Sequence, residues 1–336
     1  MAQTLPSAAI FGCAGLRLTA GERDFFRAAA PLGFILFARN IDDPEQVRAL
    51  IRDLRETVDH QALVLVDQEG GRVQRLRAPH WRELPAARRI GELYERDPQQ
   101  GRRAAWLHGR LLAADLFPLG FNVDCWPCLD LLLPEGHGVI GDRAFAADPA
   151  GVVALGRAGA EGLMAGGVLP VIKHLPGHGR APVDSHLSLP RVTQSLAVLR
   201  DSDFAAFKAL SDLALGMTAH VIFTALDPQR PATTSAAVIQ QVIRSDIGFD
   251  GLLMSDDLSM QALQGDLASR AKASLQAGCD LVLHCNGDAR EMDAVMTQVG
   301  PLDAAAVRRW RSAESLARHT PVDPAEAGRE YKALLG

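Results

Sequence analysis

Short apolar runs alternate with amphipathic helical patterns along almost the whole chain, and that alternation limits the fold more than any other feature. The runs are Ala8–Phe11, Gly33–Phe37, Leu63–Val66, Phe121–Asp124, Val168–Ile172, Leu215–His220, Gly251–Met254 and Asp280–His284. They are near-continuously apolar, with no polar alternation, as expected of strands buried on both faces of a parallel sheet. Helical patterns lie between them: Ala20–Ala30, a helix capped by Asp43 with Pro44 at its first position, Pro98–Phe117, Pro149–Ala165, Gln194–Leu210, Ser235–Asp246 and Leu267–Ala277, with two more closing the chain. In the second of these, Val47, Leu50, Ile51 and Leu54 recur at the three- to four-residue spacing of one helix face. About eight βα units in 336 residues favour a closed (β/α)8 TIM-type barrel over an open doubly wound sheet. With no linker and no shift of composition, one α/β domain spanning 1–336 is expected. No glycine-rich phosphate-binding pattern follows the first strand, which weakens a nucleotide-binding reading; no cofactor is expected.

Composition removes several classes of function. Hydrophobic residues make up 48% and charged residues 22%, enough for a large core. The net charge of −5, the pI near 6.1 and the lack of a basic run argue against nucleic acid as a partner. No apolar stretch reaches the roughly 18 residues of a membrane span. The start, Met1 to Pro6, lacks the basic end and apolar core of a signal peptide, so a cytoplasmic protein is expected. Five cysteines, an odd number, fit reduced thiols. The Cys125-Trp126-Pro127-Cys128 spacing has no second pair to complete a zinc site, and these read as buried thiols.

The polar residues that interrupt this pattern collect at strand ends. Asp67, Asp130, Lys173, His174, His220, Asp256 and His284 all stand at or just past the C-terminal end of an expected strand, the face on which a barrel builds its active site. The densest stretch is Lys173 to His186, with three histidines, a lysine and an aspartate in fourteen residues. Singly, each has an ordinary structural explanation; Asp184, for example, is a good turn former. Together, after one buried strand, they read as a site. Two residues apart in an extended loop, Asp184 and His186 lie on the same side. A carboxylate beside an imidazole orients it and raises its proton affinity, giving a general acid/base for neutral pH.

Four stretches carry a resemblance to a known family: Val66 to Arg75 (VDQEGGRVQR), Gly141 to Phe145 (GDRAF), Lys173 to Gly179 with Asp184-Ser185-His186, and Ser255 to Met260 (SDDLSM). The chain resembles glycoside hydrolase family 3, and more narrowly the single-domain bacterial β-N-acetylhexosaminidases of peptidoglycan recycling. The resemblance implies that Asp256 is the nucleophile, His186 the acid/base and Asp184 its dyad partner. It implies that Asp67, Arg75, Arg143, Lys173 and His174 bind the sugar. The segment Arg180-Ala181-Pro182-Val183 departs from the family's wording. The implied partner is a small amino-sugar or muropeptide substrate, turned over by a monomer without metal or cofactor.

The residues support this chemistry independently. Retaining glycosidases place two carboxyl groups about 5–5.5 Å apart, one to attack the anomeric carbon and one to protonate the leaving oxygen. Here a strand-end Asp256 can attack, and an imidazole replaces the second carboxylate. Asp257, its neighbour, points to the other side of the strand and is expected to be structural. Other readings stay open: transfer to phosphate in place of water, a non-catalytic sugar-binding barrel, and a metallohydrolase drawing ligands from His174, His178, His186, His220 and Asp256.

Overall fold

The apolar runs do form strands, and in the computed structural model, which describes residues 5–316 and 319–336, they close on themselves. The barrel strands are β1 (Ser7–Phe11), β2 (Pro31–Leu36), β3 (Leu63–Val66), β4 (Val123–Asp124), β5 (Leu169–Leu175), β6 (Leu215–Thr218), β7 (Leu252–Asp257) and β8 (Leu281–His284). Each pairs in parallel with its neighbour in sequence, and β8 returns to β1 with Ala9 opposite Val282. The (β/α)8 barrel is therefore the fold. Residues 1–4 of the N-terminal stretch considered above lie outside the described residues.

Strand periodicity divides the core in two. Side chains alternate across a strand, so Ile10, Leu65, Val171, Met217, Met254 and Leu283 gather inside the barrel. Their neighbours Phe11, Val64, Val66, Ile172, Leu253 and Val282 pack outward against the helices. That two-sided burial is why the runs carry no polar alternation.

Helix starts follow a repeated device. Asp43, Asp97, Asp148 and Asp323 each accept a backbone N–H of the first turn, and a proline fills the first helical position after each. The helices Pro149–Ala165 and Leu267–Ala277 have the expected limits, and Val47, Leu50, Ile51 and Leu54 are all buried. There are three departures, two of them with local causes. The helix expected over Gln194–Leu210 is two, Leu196–Asp201 and Asp203–Ala209. Ser202 breaks it at φ −127°, ψ −88°, with its hydroxyl donating back to the Val198 carbonyl. The helix over Ala87–Arg96 has no counterpart in the expected pattern; its buried stripe, Ala87, Ile90, Gly91 and Leu93, has only two large apolar residues. Among the described residues the chain closes with three helices, not two: Ala289–Met296, Ala304–Glu314 and Pro324–Leu335. Among the described residues no helix is long and apolar enough to cross a membrane. The five cysteines are all buried and unpaired.

Candidate active site

The site begins where β3 ends. After Val66 the chain makes a small hairpin, Gln68–Gly70 against Val73–Gln74, instead of a helix. Gln68 organises it: its backbone N–H donates to Asp124 Oδ1 at 3.0 Å, and its side-chain oxygen accepts the N–H groups of Arg75 and Leu76. The hairpin thereby folds Arg75 back over Asp67, Nη2 to Oδ2 at 3.2 Å.

Across the barrel mouth, Lys173 on β5 reaches the same carboxylates. Its Nζ lies 2.8 Å from Asp67 Oδ1 and 2.7 Å from Glu69 Oε1. Arg143, from the glycine-rich loop after β4, grips Glu69 with two prongs, Nε–Oε2 at 2.9 Å and Nη2–Oε1 at 2.7 Å. Lys173 and Glu69 are only 2% and 3% exposed. Charges so deeply buried persist only when paired. Burial alone would raise the Glu69 carboxyl, but Arg143 and Lys173 overcome it and hold it down at about 2. Burial would likewise deprotonate Lys173, yet Asp67 and Glu69 keep it firmly charged. Two carboxylates and three cations form one continuous chain, Arg75–Asp67–Lys173–Glu69–Arg143.

Glu69 has no role in the sequence reading, although it stands in one of the stretches quoted there. A signal is present: the reading places three cations in a buried site with Asp67 alone to balance them. The difference bears on Lys173 and Arg143, whose donors are engaged by Glu69 as well as turned to the pocket.

His174, the next residue on β5, is oriented from behind. Its Nδ1 lies 2.6 Å from Asp130 Oδ2, so Nε2 is the nitrogen left for the pocket. Asp130 also accepts the His178 N–H at 2.6 Å and lies 3.2 Å from Cys128 Sγ. Burial would raise this carboxyl; His174 and His178 keep it ionised. Cys128, Asp130 and His174 are the cluster of possible metal ligands among the described residues, with Asp130 Oδ2 between Cys128 Sγ and His174 Nδ1. The other histidines considered for a metal centre have separate partners. His220 binds Thr233 Oγ1 and the Asp257 carbonyl, His178 binds Ser185, and His186 binds Asp184. Asp130, His220 and His284 are buried supports and not part of the pocket lining.

Strand β7 delivers Asp256. Among the described residues its carboxylate accepts one hydrogen bond, from the N–H of Asp257 at 2.8 Å. Burial would raise its proton affinity, but His220, His174 and that N–H more than offset it and hold the group below the usual carboxylate range. Asp257 also borders the cavity, but its carboxylate is engaged: it takes the hydroxyl and N–H of Ser259 and the N–H of Cys285.

Asp184 and His186 are joined, Oδ1 to Nδ1 at 2.8 Å. The segment is a tight turn and not the extended loop expected. Asp184 Oδ1 also accepts the His186 N–H at 2.9 Å, and its carbonyl accepts from Leu187 and Ser188. An aspartate that captures the backbone two residues on folds the chain locally, which overrides the alternation assumed for an extended strand. The base of the loop is fixed by Arg180, which binds Asp203 and Glu135 at 2.7 and 2.5 Å.

These groups surround a cavity of about 200 Å³ at the C-terminal ends of the strands. Asp67, Arg75, Arg143, Lys173, His174, His186 and Asp256 line its sides; its apolar lining includes Ile35, Met217 and Leu283 from the barrel interior and Val73, Val139 and Met260 from the loops. Larger surface depressions lie elsewhere, such as one of about 760 Å³ over Tyr94, Trp106 and Val153, but they hold no comparable grouping. Asp184 stands behind His186 and does not line the cavity. An ionised carboxylate, an imidazole with one nitrogen free, and a ring of fixed donors and acceptors suit nucleophilic displacement at a carbon of a polar, hydroxyl-rich substrate.

A parallel barrel with this site at its strand ends is a glycoside hydrolase, and the chain belongs to glycosyl hydrolase family 3, whose N-terminal domain matches residues 27–317. Within the family, a beta-hexosaminidase of Alkalilimnicola ehrlichii is 43% identical over 284 residues, 82% of this chain and 80% of the relative. The beta-hexosaminidase of Bordetella avium is 41% identical over 285 residues, 84% and 81% of the two chains. Among solved structures, NagZ from Neisseria gonorrhoeae superposes over the whole of both chains with a TM-score of 0.90 at 33% identity; it was crystallised with N-trifluoroacetyl-D-glucosamine.

Proposed function

We propose that the chain is a retaining exo-β-N-acetylglucosaminidase. It removes a terminal, non-reducing N-acetylglucosamine from peptidoglycan fragments of the GlcNAc-1,6-anhydroMurNAc type, with or without peptide, in the cytoplasm and as a monomer. One observation carries the reading: the ionised, nearly unpartnered Asp256 and the Asp184-bound imidazole of His186 line one small cavity. The hexosaminidase names of the relatives and the amino-sugar ligand of the gonococcal structure support the substrate class.

In the first step an Asp256 oxygen attacks the anomeric carbon as its bond to the leaving oxygen breaks. Imidazolium His186 gives its Nε2 proton to that oxygen. Nδ1 stays on Asp184, which holds the ring in place. In the second step neutral Nε2 takes a proton from water, whose oxygen displaces Asp256 and restores the β configuration. Asp67 accepts from sugar hydroxyls, while Arg75, Arg143, Lys173 and His174 donate. The buried pairing of these residues with one another sets the ring of donors before substrate arrives. An imidazole in place of the usual second carboxylate leaves less negative charge near the anomeric carbon, so phosphate in place of water is the second reading.

The test is hydrolysis of an aryl β-N-acetylglucosaminide against the aryl β-glucoside, followed by NMR. The N-acetyl substrate should be strongly preferred, and the first-formed product should be the β anomer. An α anomer would overturn Asp256 as nucleophile. Added phosphate should leave the product unchanged; a sugar phosphate would move the reading to phosphorolysis.

A further inference from the structure

The turn that carries Asp184 and His186 is almost entirely at the surface. From Pro182 to Ser188 the single buried residue is Ser185, 3% exposed, while His186 and Leu187 beside it are open to solvent. Ser185 is turned inward, away from solvent. Its Oγ lies 3.1 Å from His178 Nε2. Its carbonyl accepts the N–H of Ala262 at 3.2 Å, in the loop that follows Asp256 and Asp257. The turn is thus tied at one residue to the two elements that carry the rest of the site. His178 is a firm anchor: it is buried, and its N–H donates to Asp130, the carboxylate that orients His174. Among the described residues its second nitrogen, Nδ1, is buried without a partner, so Ser185 is what its ring binds. Arg180 fixes the base of the loop, five residues before Ser185, and leaves the tip to the two contacts of Ser185, of which only the one to His178 is made by a side chain.

We propose that Ser185 is a positioning residue for the acid/base: the Ser185–His178 contact is the latch that holds the tip of the loop so that His186 faces the pocket. The inference rests on His186 being the acid, and it assigns Ser185 no contact with the sugar. Because Asp184 and His186 move with Ser185 as one turn, losing the latch displaces the pair together without breaking the bond between them. Proton delivery then fails while the pocket keeps its sugar contacts.

The experiment is a series of aryl β-N-acetylglucosaminides of rising leaving-group pKa, measured on wild type, Ser185→Ala, Ser185→Thr and His186→Ala. General acid help is worth about 10²–10⁴-fold where the leaving group is poor. Ser185→Ala should lose about 10–100-fold in kcat on poor leaving groups and little on dinitrophenolate, with KM nearly unchanged, a partial copy of His186→Ala. Ser185→Thr, which keeps the hydroxyl, should restore the wild-type slope. Amide exchange over residues 182–189 should quicken in Ser185→Ala. His178→Phe removes the other half of the latch and should reproduce the slope. A wild-type slope in Ser185→Ala, or a loss equal on all substrates, would overturn the latch while His186 stands. A wild-type slope in His186→Ala would instead remove the acid assignment, and the latch with it.

Discussion

Lys173 shows why this site is stiff. Its ammonium is enclosed between Asp67 and Glu69, and each carboxylate has a further guanidinium on its far side. Removing one partner of a buried ion pair exposes the others to an uncompensated charge, at a cost of about 3–5 kcal/mol. Lys173→Met should therefore lower the unfolding free energy in urea by about that much, besides weakening substrate binding. A loss below about 1 kcal/mol would show that Arg75 and Arg143 re-pair the two carboxylates unaided. At the same scale, Asp256 and Asp257 should separate cleanly. A fluorinated slow substrate should trap its sugar on Asp256, because the Asp257 carboxylate is already committed to Ser259 and Cys285. A labelled peptide carrying the sugar on Asp257 would reverse that. Asp67, Arg75, Arg143, Lys173 and His174 were legible because each stands beside a strand end or within a motif. Asp130 was legible as a strand-end residue, but its partner, like the role of Glu69, was not: these pairs join segments far apart in sequence, and no local pattern announces which two will meet.

Whole elements were read more securely than their ends. Near-continuous apolar strands and aspartate–proline helix starts are strong, short-range signals, and eight units of them leave few architectures. The break at Ser202 depends on one hydroxyl turning back to Val198, which competes with the helix only once the chain is packed. The same holds at the chain's end. The closing helix Pro324–Leu335 looks peripheral, yet Tyr331 OH lies 2.6 Å from His108 Nδ1, and His108 Nε2 lies 2.8 Å from the Glu69 carbonyl. Arg103 and Glu330 add a two-pronged pair at 2.6 and 2.7 Å. The last helix thus braces the backbone of the site's central carboxylate from behind. Tyr331→Phe strands a buried imidazole nitrogen and should cost about 1–3 kcal/mol in stability. Its effect on kcat/KM should exceed that of Arg103→Ala, which breaks a mostly exposed pair worth about 1 kcal/mol or less. Equal effects would mean that the helix supports the fold without bearing on Glu69.

For the molecule as a whole, the buried histidines set the acid limit. Burial holds His108 and His178 neutral, with pKa values lowered from 6.5 to about 4. The unfolded chain takes up these protons first. The stabilisation is therefore complete above pH 6.5 and is lost as pH falls from there toward 4. Asp115 works the other way: burial lifts its carboxyl to about 6, so acid relieves a penalty there. Burial lowers His60, His220 and His284 in the same sense as these two histidines and raises Asp124 in the same sense as Asp115. The more numerous histidines should therefore give a net loss of stability as pH falls from 7 toward 4, each tenfold difference in proton affinity between the folded and unfolded chain being worth about 1.4 kcal/mol. Urea midpoints measured across that range should fall steadily, and His108→Gln should flatten the curve. A flat wild-type curve would show that these rings are solvated. Closure of the sheet is the whole-molecule property the sequence carried best. Which histidines would be buried neutral was hidden, because it depends on the loops that cover them.

Ile35, Met217 and Leu283 serve two masters. They belong to the packed barrel interior, and they also border the substrate cavity. A side chain there cannot be retailored for a different sugar without loosening the staves that hold the barrel shut. Selectivity on this scaffold is accordingly open to change only from above, through the loops, while the floor is inherited with the fold.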